Sequence, residues 1–91
     1  MGKEVRLFKS EEKRSRSEVG AFLHELADKL TAGQVVLRQG KEELILQIPH
    51  NLILEIQAED EDKKRRGIQH SLEVEIKWFD DDDEGGPLEL G

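Results

Sequence analysis

Between Ser71 and Trp78 the sequence alternates without a break, with Leu72, Val74, Ile76 and Trp78 at even positions and Glu73, Glu75 and Lys77 at odd ones. Successive side chains on a strand point to opposite faces, so this segment is a strand with one apolar face and one polar face. An apolar strand face needs a cover, and the sequence offers one candidate. Ser15 and Glu18 have the spacing of a capping box, in which the hydroxyl accepts the Glu18 N–H and the carboxylate reaches back to the cap. Val19, Phe22, Leu23, Leu26, Ala27 and Leu30 then recur at helical spacing, and Gly33 is placed to end the helix in the left-handed region.

The segment after the helix is read pair by pair. Gly40-Lys41 suits a two-residue turn with glycine first, which sets Gln39 against Glu42, Arg38 against Glu43, Leu37 against Leu44, Val36 against Ile45 and Val35 against Leu46. A charge then meets its complement and apolar residues meet apolar residues, which a slipped register would not achieve. Pro49-His50-Asn51 has the chemistry of a three-residue turn and predicts Ile48 opposite Leu52, Leu46 opposite Leu54 and Leu44 opposite Ile56. Glu4 to Lys9 is a further short edge strand, and Glu59 to Gly67 a charged loop. The expected fold is α+β, one amphipathic helix on one face of a mostly antiparallel three- to four-stranded sheet in the order β-α-β-β-β. Neither the register of the last strand nor the place of the first follows from the pattern.

With 91 residues, 38% of them charged and 35% hydrophobic, the chain has apolar residues for one core only. It has no cysteine, which excludes disulfides and thiolate metal sites. No apolar run approaches the ~20 residues of a membrane span. Met-Gly-Lys-Glu-Val-Arg at the start lacks a signal peptide's apolar stretch, so a cytoplasmic location is expected. Six of the 21 acidic residues lie from Asp80 onward, leaving 15 against 14 basic ones. The net charge of −7 therefore belongs mainly to the end of the chain. Residues 1–79 are expected to form the domain and residues 80–91 a disordered acidic tail, dispensable for folding.

Three stretches together resemble the amphi-Trp domain family, small prokaryotic domains named for an amphipathic C-terminal strand ending in tryptophan. They are Leu7-Phe8-Lys9-Ser10-Glu11-Glu12, the helix from Phe22 to Leu30 with Gly33, and Ser71-Leu72-Glu73-Val74-Glu75-Ile76-Lys77-Trp78. The resemblance covers roughly residues 4–79. What it implies is architecture; it brings no activity and no catalytic residue to transfer.

Chemistry finds little support. His24, His50 and His70 are expected at separate places, so they do not share an ion. Asp80, Asp81, Asp82, Asp83 and Glu84, followed by Gly85, imitate the start of a calcium loop, but Gly91 stands where the bidentate glutamate belongs. What the run offers is weak binding of divalent cations such as calcium, the alternative reading. Ser10-Glu11-Glu12-Lys13 has a bare S-x-x-K spacing without its companion motifs, and no enzymatic activity or cofactor is expected. Lys63 to Arg66 form a basic cluster without aromatic platforms, which argues against a nucleic-acid partner. Trp78 is expected in the core, against the helix. On the face away from the helix, Val36, Ile45 and Ile53 fall close together, rimmed by charges. The preferred reading is a non-catalytic interaction module that uses this face for a protein partner or a weak homodimer.

Overall fold

The computed structural model describes residues 2–80. The elements are one helix, α1 (Arg16–Ala32), and four strands, β1 (Gln34–Gln39), β2 (Glu42–Gln47), β3 (Ile53–Asp62) and β4 (Ile68–Lys77), with a 3-10 turn at Lys64–Arg66. The α+β class and the antiparallel pairing hold, but the strands form two two-stranded sheets, β1–β2 and β3–β4. The chain divides into two compact units, Met1–Ile48 and Pro49–Gly91. No helix among the described residues is long and apolar enough to cross a membrane.

In the first unit, helix initiation follows the sequence closely. The Ser15 hydroxyl accepts the Glu18 N–H at 3.1 Å, and the Glu18 carboxylate accepts the Ser15 N–H at 3.1 Å. Gly33 ends the helix at φ 90°, donating its N–H to Leu30 O and Lys29 O. These Ser15 bonds favour the charged Glu18 and hold its pKa below the ordinary 4.5. The stability it contributes is therefore complete above pH 4.5 and is lost as the pH falls through the lowered value. Ser15→Ala should cost about 1 kcal/mol at neutral pH. Thermal melts of the variant should stay below those of the parent even in acid, because the Glu18 N–H to Ser15 hydroxyl bond does not titrate.

The first hairpin has the expected register throughout: Val35↔Leu46, Val36↔Ile45, Leu37↔Leu44, Arg38↔Glu43 and Gln39↔Glu42. Gly40 takes the positive φ of 59° that the first central turn position demands, while Lys41 does not. The Arg38 Nε donates to Glu43 Oε2 at 2.6 Å. α1 packs on β1. Val35 is 5% exposed, the buried hydrophobic side chain of the described residues, while Leu26, Leu30, Leu37, Leu44 and Leu46 are half-buried.

In the second unit β3 and β4 pair along ten residues each, from Ile53↔Lys77 to Asp62↔Ile68. The five residues between them close the ribbon. Lys63 N–H donates to Gly67 O at 2.8 Å, Lys64 N–H to Asp62 Oδ1 at 2.8 Å, and Lys64 and Gly67 supply positive φ values of 60° and 87°.

Three expectations are corrected. The strand beginning at Ile53 pairs with β4 and not with β2, so the pairs Ile48–Leu52, Leu46–Leu54 and Leu44–Ile56 do not form. Residues 48–52 lie outside any strand, and the Ile48 N–H is given to Gly33 O at 2.9 Å. Glu4 to Lys9 forms no strand. Glu59 to Asp62 belong to β3 instead of a loop, because pairing with Gln69, His70 and Ser71 overrides their poor strand preference. The expected tail, residues 80–91, lies outside the described residues apart from Asp80.

Candidate functional site

The register of the second ribbon sorts its side chains by parity, since residues facing each other across an antiparallel pair share a face. The even face carries Leu54 beside Ile76, Ile56 beside Val74, Ala58 beside Leu72, Asp60 beside His70 and Asp62 beside Ile68. It is apolar over most of its length and ends in the His70 Nδ1 to Asp60 Oδ1 pair at 2.6 Å, next to the basic turn. Four residues at its centre are open to solvent: Leu54 at 63%, Ile56 at 62%, Leu72 at 73% and Val74 at 57%. The alternation at Ser71 to Trp78 is therefore present as read, but its apolar side is uncovered.

The odd face is polar and acidic, with Glu55, Glu59, Glu61, Glu73 and Glu75 against Lys77. Glu55 and Glu75 stand opposite one another, and two like charges in that position repel. Lys77 answers both, with Nζ 2.7 Å from Glu55 Oε1 and 3.9 Å from Glu75 Oε1. The hydrogen bond to Glu55, then the charges of Glu55 and Glu75, raise the Lys77 pKa above its ordinary 10.5. A raised pKa means that the contribution is complete below pH 10.5 and is lost as the pH climbs through the higher folded value. Melting curves in the alkaline range should show this loss in the parent and not in Lys77→Gln.

At the open end of the ribbon, Trp78 is half-buried in a shallow apolar recess with Ile53, Ile76, Phe79 and the Lys77 stem. Ile53 thus lies on the odd face, opposite Lys77. The first unit has its own surface. Val36 and Ile45 are cross-strand partners, Ile45 exposed and Val36 half-buried, and among the described residues β1 pairs with β2 alone. A groove lined by Phe8, Phe22, Val36 and Leu37 runs beside β1. The structure thus brings Val36 and Ile45 together but sets Ile53 in the other ribbon, where the missing β2–β3 pairing would have joined it to them. Phe8 and Phe22 were not singled out by sequence reasoning as surface residues; the helical spacing that names Phe22 assigns it to the core.

Among the described residues no group of three or more histidines or carboxylates could hold a metal ion. Asp80 sits in a turn, and Asp81, Asp82, Asp83 and Glu84 lie outside the described residues. In the basic turn, Lys63 Nζ is 3.3 Å from Glu61 Oε1. Glu12 of the Ser10 to Lys13 stretch is paired with Arg14.

The family model described as Amphi-Trp domain matches residues 1–91. No curated protein and no solved structure matches the chain.

Proposed function

This chain belongs to the Amphi-Trp domain family, and from that premise we propose that it is a non-catalytic module that binds protein through its apolar sheet faces. The observation that carries the reading is the even face of the second ribbon, a row of aliphatic side chains between charged ends that stands in water. Rows of this kind mark association surfaces, because exposing them costs free energy that only a partner recovers. Val36 and Ile45 add a smaller patch of the same character on the first hairpin. Further support comes from what the polar side chains do: Ser15 and Glu18 cap the helix, His70 is tied to Asp60 and Lys77 to Glu55.

The test is photo-cross-linking in the native cell, with a photoreactive side chain placed at Val74, at Ile45, or at Gln57 on the polar face. Protein adducts at Val74 or Ile45 and none at Gln57 are the expected result. Equal labelling at all three positions, or no adduct at any, would remove the proposal.

A further inference from the structure

We infer that residues 8–12 are a guard over the open edge of β1, holding off any further strand without pairing to β1 themselves. The first hairpin fixes which backbone groups that edge presents. Gln39 and Glu42 flank a two-residue turn, and from there the facing pairs alternate between exchanging two hydrogen bonds and exchanging none. Gln39, Leu37 and Val35 therefore bond to β2, and the Ile48 N–H to Gly33 O bond at 2.9 Å falls in the same series. The N–H and C=O groups of Val36 and Arg38 point the other way, off the free side of β1.

Such a row of unpaired groups is a template for another strand, and folded chains cover it. The cover here is visible in one groove. Phe8, Ser10 and Glu12 line it together with Phe22 of α1 and residues 36–39 of β1. The lining takes nothing from β2, which places the groove on the free side of β1. Phe8, Ser10 and Glu12 are alternate positions, the period of an extended chain, and four steps of roughly 3.3 Å are enough to run past the stretch of β1 beside them.

Among the described residues no backbone hydrogen bond joins this segment to β1. It is held from its ends instead. Arg14, next to the helix cap, donates from Nε to Glu12 Oε2 at 2.8 Å and sets Nη1 3.6 Å from Glu18 Oε2 in the first turn of α1. At the other end Phe8 is half-buried, while Leu7 before it is 64% exposed. The missing ladder is what makes the segment a guard. A third strand paired to β1 would only move the open edge outward, whereas an unpaired cover occupies the edge and offers no new one.

Deleting residues 2–9 removes Phe8 and leaves Arg14, Ser15 and Glu18 in place. Sedimentation equilibrium up to about 1 mM, the weak limit of specific affinity, should then show stronger self-association than in the full chain. An increase of about 10-fold or more in the association constant is expected, the net worth of one or two edge hydrogen bonds. Val36→Pro in the shortened chain removes an outward N–H, costs no bond to β2, and should return association to the level of the full chain. Far-UV circular dichroism shows whether each protein is folded. If the shortened chain unfolds, Phe8→Ser takes its place; if Val36→Pro unfolds, Val36→Lys does, as a charge set on the edge. In the full chain, Phe8→Ala should move the amide resonances of Val36 and Arg38 more than those of Val35 and Leu37, whose N–H groups are bonded to β2. A shortened chain that associates no more than the parent overturns the inference. Extra association that neither Val36 variant reverses, or amide shifts as large at Leu37 as at Val36, overturns it as well.

Discussion

Val35→Asp is expected to unfold the helix and the first hairpin together. Val35 is 5% exposed in a unit whose other apolar side chains are at most half-buried, so the core of that unit converges on it. A carboxylate there has no cation of the unit's core to meet, and an uncompensated buried charge costs about 3–5 kcal/mol. Stabilities of domains lie around 5–15 kcal/mol, and a small unit sits at the low end. Val35→Ala, which only leaves a void, should cost about 2 kcal/mol and keep the helix. Far-UV circular dichroism separates the two: retained helical signal in Val35→Asp would show that the unit does not depend on this position.

The second large effect is expected at Trp78. It is half-buried with Ile53, Ile76 and Phe79 at the open end of the ribbon, so Trp78→Ala should cost about 2–3 kcal/mol, below the ~3–5 kcal/mol of a fully buried aromatic. The sequence reading, which set this ring in a core against the helix, implies the higher range. Trp78 is the sole tryptophan and the chain has no tyrosine, so its emission reports on this recess without interference. Denaturant titration followed by that emission in the parent, and by far-UV circular dichroism in both proteins, gives the difference. A midpoint unchanged by the substitution would show that the recess contributes nothing to the fold.

Local structure was readable because it is decided by neighbours in sequence. Ser15 and Glu18 cap a helix through atoms three residues apart, Gly33 stops it by its own backbone freedom, and Gly40-Lys41 sets a register that five cross-strand pairs then satisfy. The alternation from Leu72 to Trp78 likewise depends only on the period of a strand, and the observed faces follow it. Val36 beside Ile45 belongs to the same class of inference, since it follows from the first turn alone.

What the tertiary structure decided is which strand lies beside which, and what each apolar face meets. Periodicity says that β3 has an apolar side, but a strand has two hydrogen-bonding edges and the pattern does not say which neighbours fill them: β4 lies along one, while β2 pairs with β1. Ten pairs with β4 form across a five-residue turn. The pairing with β4 carries Glu59 to Asp62 into a strand, and Leu54, Ile56, Leu72 and Val74 stand open to water. An apolar stripe is written in the sequence one residue at a time, but its cover depends on contacts between residues far apart in the chain, and burial is a property of the packed arrangement rather than of any segment.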